Sequence, residues 1–189
     1  TDEEILICES NEKAFINFKE NYLNKKWNEN DRDKKTNFVF SIQDDEKGRR
    51  ATKSTIIINN DYKIVYDYIM ELDNKKSYDK SYDRGVVLKE MNETYGLVWF
   101  AYKGKLGVSG RDFLCCIKSE NFENEKWAYI FANSFKGYPG YDEVKPYYRA
   151  NLIFSYYYIF QLEDGTTQVD FYVLSETGIS QWIMNLALK

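Results

Sequence analysis

Asp112-Phe113-Leu114-Cys115-Cys116-Ile117-Lys118-Ser119, then a polar link over residues 121–125, then Lys126-Trp127-Ala128-Tyr129-Ile130-Phe131-Ala132-Asn133-Ser134-Phe135, reads as two strands and the turn between them. The pattern continues in both directions. Upstream, residues 85–91 and 96–103 read as strands separated by Asn92-Glu93; downstream, residues 148–162 and 167–175 are separated by Glu163-Asp164-Gly165. A longer link over residues 136–146 completes the run. Sequential strands with short links make an antiparallel meander.

Before the meander the periodicity changes. Ser10 is placed to cap a helix over residues 11–23, in which Phe15, Phe18 and Tyr22 recur at i, i+3 and i+7. Residues 27–35 read as a charged connector. Phe38, Phe40 and Ile42 then alternate with Asn37, Val39 and Ser41, and residues 51–58 return after the turn Asp44-Asp45-Glu46-Lys47-Gly48, giving a hairpin. Asn60 or Asp61 caps a second helix whose apolar face is Ile64, Val65, Tyr68, Ile69 and Leu72. After the meander, Ile179, Trp182, Ile183 and Leu186 have the spacing of a terminal helix over residues 178–189. The class is therefore α+β, a single domain over residues 1–189. A curved antiparallel sheet of about eight to nine strands, closed by the C-terminal helix, encloses a space that suits an apolar ligand.

Composition removes several functions. The 189 residues carry a net charge of −4, so no basic field draws the chain to nucleic acid. There is no histidine, which excludes Ser-His-Asp and Cys-His nucleophile systems. Cys8, Cys115 and Cys116 form no disulfide framework, and the adjacent pair points to opposite faces of its strand, as small buried residues. No apolar run reaches the roughly 20 residues of a membrane helix. The opening Thr1-Asp2-Glu3-Glu4 is neither an initiator methionine nor a signal peptide. The expectation is an excised, monomeric domain, cytosolic or membrane-peripheral.

Gly104, Gly107 and Gly110 have the spacing G-x-x-G-x-x-G. A dinucleotide loop needs G-x-G-x-x-G between strand and helix. This loop joins strand to strand, so no helix N-terminus is there to hold a phosphate.

Five short stretches carry more information together. They are Tyr78-Asp79, Arg111-Asp112-Phe113, Ser134 with Tyr138-Pro139, Tyr148-Arg149-Ala150, and Gly178-Ile179 followed by Trp182-Ile183-Met184-Asn185. In this order they resemble the START family, the StAR-related lipid-transfer domains with a helix-grip fold. There the matching stretches are Trp-Asp, Arg-Asp-aromatic, Ser-x-x-x-x-Pro, Val-Arg-x and Gly-x-Ile-Pro-x-Trp-Leu-Val-Asn. Here Tyr78 stands for the tryptophan, Ser180 for the proline, and the terminal helix stops short at Lys189.

The resemblance implies one lipid held in the cavity and carried between membranes, with transient membrane contact, no covalent step, no cofactor and no metal. It points to a glycerophospholipid such as phosphatidylcholine. Lys75, four residues before Asp79, stands where the phosphatidylcholine carriers have a phosphate-binding arginine; a lysine meets a phosphate as a point charge. Phe100 and Phe113 fall at two positions of the choline cage. The third falls near Ile153 or Phe154, with Tyr156 two residues further on. Tyr78, Asp79, Arg149, Asp170 and Trp182 complete the expected ligand contacts. Asp170 is solvated if its face of the last strand is the outer one, and meets the head group if that face is inner. The glycine loop is either a plain turn or a gate at the cavity mouth, with Leu106 and Val108 as its apolar tip. A sterol or ceramide carrier, a ligand-sensing module, and a helix-grip enzyme working through Asp79, Asp170 or a cavity tyrosine are the alternatives.

Overall fold

The computed structural model describes residues 1–33, 36, 38–105, 107–142 and 144–177. Leu106 and the terminal segment with Trp182 lie outside the described residues.

Helix α1 (Asp2–Phe18) begins well before Ser10, because Thr1 and Glu4 form a capping box and Asp2, Glu3 and Glu4 place negative charge in the first turn. It continues through a π turn, Lys19–Leu23. Strand β1 (Asn28–Asp33) replaces the expected connector; all six residues are exposed, so this edge of the sheet is charged rather than sticky. β2 (Phe38–Asp44) and β3 (Arg50–Ile58) form the expected hairpin. α2 (Tyr62–Met70) is capped by the Asp61 side chain and leads into a 3-10 turn (Leu72–Asn74) and the short α3 (Lys75–Tyr78). The meander follows as β4 (Tyr82–Glu90), β5 (Tyr95–Tyr102), β6 (Arg111–Phe122) and β7 (Trp127–Ser134). The strand read over residues 148–162 is split into β8 (Tyr148–Arg149) and β9 (Asn151–Gln161), and β10 (Thr167–Glu176) is the last.

These ten strands form one sheet in the order β1-β2-β3-β10-β9-β7-β6-β5-β4, with β8 lying parallel to the start of β6. The two faces of the sheet have different cover. On the outer face α1 lays Phe15 and Phe18 over Tyr129, Phe131, Phe154, Tyr156 and Tyr172. Asn11 pins it there by donating to the Cys116 carbonyl (2.9 Å) and to Asn133 Oδ1 (2.7 Å), and Glu12 pairs with Lys118 at 2.6 Å. On the inner face α2 packs Tyr62 and Val65 against Ala128, Ile130, Ile159 and Val169. Cys115 faces inward with Phe113 and Ala132, while Cys116 faces α1. Burial pushes both thiols up to about 12, so both are inert at neutral pH.

One irregularity sets which side chains reach which face. Leu174 pairs with Phe154, but the next residue, Ser175, pairs with Leu152, so Ile153 is an extra residue in β9. Leu152, Ser155 and Tyr157 therefore share the inner face, and Phe154 and Tyr156 the outer one.

Candidate functional site

The inner face is not filled. Between it and α2–α3 lies a cavity of about 430 Å³. Its wall is mostly apolar: Ile69, Leu72, Phe100, Phe113, Ile130 and Val173 are among its residues. Polar groups gather at one end. Lys75, Tyr78, Asp79, Tyr102 and Tyr157 all line the space.

Local chemistry places Lys75 there. Leu72 packs onto the inner-face cluster around Phe113, which draws the 3-10 turn over the sheet. Asn74 Nδ2 donates to the Tyr68 carbonyl (3.2 Å), and the Ser77 and Tyr68 hydroxyls lie 2.7 Å apart, tying α3 to the end of α2. Lys75 Nζ donates to the Tyr157 hydroxyl at 3.5 Å and lies 5.5 Å from the Tyr78 ring and 5.9 Å from the Tyr157 ring. Burial works against its ammonium, but Tyr102, Tyr78 and Asp79 outweigh that and hold its pKa above the ordinary value. Burial pushes Tyr78 up to about 12 and drives Tyr102 and Tyr157 upward as well. At neutral pH the site thus presents one ammonium and three protonated hydroxyls. Asp79 is engaged locally, accepting from the Ser81 amide at 3.0 Å.

Of the expected ligand contacts, Lys75, Tyr78, Asp79, Phe100 and Phe113 line this cavity. Phe100 and Phe113 stack on each other with centroids 5.4 Å apart, and Tyr102 meets both edge-on at 5.9 Å. Phe154, Tyr156, Arg149 and Asp170 do not reach the cavity. Regular pairing of Phe154 with Leu174 and of Tyr156 with Tyr172 keeps both on the outer face, toward Phe18. Arg149 sits on β8 and closes on Asp112, with Nη2 2.8 Å from Oδ2; the same oxygen accepts from Trp99 Nε1 at 2.7 Å. Asp170 is on the outer face yet is not solvated: it pairs with Lys53 at 2.9 Å and accepts from Thr55 (2.7 Å) and Gln168 (3.0 Å). Asp170→Ala should therefore cost about 1.5–3 kcal/mol, the worth of a hydrogen bond to a charged group, and leave ligand affinity unchanged. Denaturant titration beside ligand titration checks this; lost affinity at full stability would return Asp170 to the ligand.

Tyr102, Tyr157 and Arg111 were not among the expected contacts. Tyr102 could have been found, since it shares its strand face with Phe100 by period-two spacing. Tyr157 lies within Tyr156-Tyr157-Tyr158, where alternation leaves open which ring faces inward and the pairing of the strand decides it.

The glycine loop leaves β5 beside the cavity. Val108 N–H donates to the Lys105 carbonyl at 2.9 Å, a turn with Gly107 in its third position at φ +77°, where a side chain is strained. Gly104 and Gly110 serve a different need. A Cβ on Gly104 would lie 2.2 Å from the Val108 carbonyl oxygen, and one on Gly110 2.5 Å from that of Tyr102. Behind the loop Arg111 donates to the carbonyls of Ser109 and Thr177, each at 2.7 Å, tying the loop to the end of β10. Gly104 and Val108 line the cavity; Gly107 and Gly110 do not.

No protein-family model matches the chain, and no curated protein does. Solved structures do. Human STARD10 superposes with a TM-score of 0.77 at 16% identity over 92% of this chain and 71% of its own. Human StAR-related lipid transfer protein 5 gives 0.81 at 11% identity over 96% and 88%. A fragment of the STAR-related lipid transfer protein from Xanthomonas axonopodis gives 0.70 at 11% over 87% and 90%. This chain has the START fold. At such identities the architecture is what is shared: a large antiparallel sheet with an N-terminal helix, the helix-grip arrangement that the sequence resemblance implied, while the expected closing C-terminal helix lies outside the described residues. In this START fold the cavity lies on the face away from α1. Among the described residues, no helix is long and apolar enough to cross a membrane.

Proposed function

We propose that the chain binds one lipid in the inner-face cavity and carries it between membranes without covalent chemistry. The observation that carries this reading is Lys75, an ammonium ringed by tyrosine hydroxyls inside a mostly apolar cavity. An alkyl chain gains roughly 0.8 kcal/mol per buried CH₂ against such a wall, but its head group needs a buried partner. A glycerophospholipid fits, with its phosphate on Lys75 and its carbons toward Ile130 and Val173. Two similar structures carry lipid transfer in their names, which supports the same reading. For phosphatidylcholine, Phe100, Phe113 and Tyr102 offer an aromatic wall. It is not a closed cage, since Phe154 belongs to the other face. Delivery would need brief membrane contact by a monomer, near the glycine loop.

A sterol or ceramide is the second reading, favoured by a volume of about 430 Å³, toward the lower end of the roughly 300–1,000 Å³ of small-molecule cavities. Transfer of labelled lipids from donor to acceptor vesicles decides between them. Protein-dependent transfer of the phospholipid is the expected result. Faster transfer of the sterol or ceramide would move the assignment to the second reading. No transfer of any lipid, with no lipid retained in native mass spectra, would end both.

A further inference from the structure

We infer that the cavity selects a lipid with one alkyl chain and a net-anionic head, so that carboxylate or phosphate-monoester amphiphiles bind in preference to two-chain zwitterions. This rests on reading the cavity as the lipid site and narrows it.

Two independent observations carry the inference. The first is charge. Four basic side chains, Lys75, Lys103, Lys105 and Arg111, line the cavity among the described residues, against one acidic side chain, Asp79. The chain as a whole is net −4, so this local excess of positive charge runs against the protein's own balance. Arg111 spends its guanidinium on backbone carbonyls, and Asp79 is held by Ser81. Lys75 is different. Its hydrogen-bond partners are the neutral hydroxyls of Tyr157, at a long 3.5 Å, and Tyr102, and no carboxylate lies within ion-pair distance among the described residues. A partly buried ammonium with no carboxylate in ion-pair reach favours an anion. The Tyr78 and Tyr102 hydroxyls line the same space and add donors beside it. A quaternary ammonium brought to the same end would meet Lys75 as a like charge.

The second observation is size. A volume of about 430 Å³ lies toward the lower end of the roughly 300–1,000 Å³ of small-molecule cavities, on the side of a single chain with a small head. The oxyanion is the shared chemistry; a fatty acid and a single-chain phosphate monoester both supply it.

The test compares four probes of equal chain length by calorimetric titration of the intact chain: fatty acid, alkyl phosphate, primary alcohol and alkyl trimethylammonium. Phosphatidylcholine vesicles serve as competitor. The acid or the phosphate should bind roughly tenfold or more tightly than the alcohol, the increment of a charge-assisted bond, and the trimethylammonium most weakly. Whichever of the two anions binds more tightly identifies the source. Lys75→Met should bring that anion toward the alcohol, and Lys76→Met, at an exposed neighbour, should preserve the preference. Equal binding of anion and alcohol by the unmodified chain would overturn the inference, and this comparison needs no variant to fold. Ready displacement of the anion by phosphatidylcholine would overturn it while leaving the lipid-binding reading in place. No binding of any probe or of phosphatidylcholine would remove both.

Discussion

Arg149→Ala should lower the stability of the chain by about 3–5 kcal/mol, the cost of removing one partner from a buried ion pair. Asp112 is 1% exposed, and among the described residues Arg149 alone pairs with it, at 2.8 Å. Without the guanidinium the carboxylate stays buried with a single donor, Trp99 Nε1. In a domain of this size each kcal/mol moves the melting temperature by roughly 2–4 °C, so a fall of about 6–20 °C is expected. The reverse change, Asp112→Ala, should cost less. Arg149 reaches solvent and keeps its bond to the Tyr141 carbonyl, so the penalty falls mainly on the Trp99 N–H. Replacing both by apolar residues of similar volume should be milder than Arg149→Ala alone, because neither charge is then orphaned. Thermal melts of the three variants check the order. A loss of lipid affinity in Arg149→Ala below its melting transition, with stability unchanged, would show the arginine serving the ligand instead.

Ser155→Trp should close the cavity. Ser155 faces the interior from β9 beside Leu152 and Tyr157, with space rather than packed atoms ahead of it. An indole there takes the place of ligand carbons. Displacing even three methylenes forfeits about 2.4 kcal/mol, roughly a 60-fold loss of affinity. The fold should tolerate the change, because the volume is empty and the wall apolar. Its sequence neighbour is the control. Tyr156 lies on the other face, buried against Phe15 and Phe18, and its hydroxyl makes no hydrogen bond among the described residues. Tyr156→Phe should therefore leave lipid affinity as it was. Titration of a bound lipid against both variants tests this; if Tyr156→Phe weakens binding and Ser155→Trp does not, the faces of β9 have been assigned the wrong way round.

Much of the architecture was legible in the order of patterns. The hairpin, the second helix and the meander appear within a few residues of their expected bounds, because alternation and turn residues are local properties. α1 starts earlier than Ser10 suggests, because Thr1 and Glu4 carry the capping-box pattern ahead of it. β1 was missed because strand patterning assumes one buried face, and an edge strand exposed on both sides has none.

The site divides along the same line. The sequence, through its family resemblance, pointed to Lys75 and Asp79 in the connector after the second helix and to Phe100 and Phe113 on neighbouring strands, and its own spacing gave three glycines in one loop. Only the tertiary structure decided which side chains share the cavity beyond that. Side chains alternate every residue along a strand, so the single extra residue at Ile153 exchanges the faces of everything on one side of it. Nothing in the spelling of residues 148–162 marks where that residue is inserted. Asp170 was placed on the right alternation, but whether its face meets water depends on α1 and on Lys53, both far away in the chain. Arg149 found Asp112 because a two-residue strand happens to lie parallel to β6. Period and propensity act within a few residues; burial and charge pairing belong to whatever the fold brings alongside.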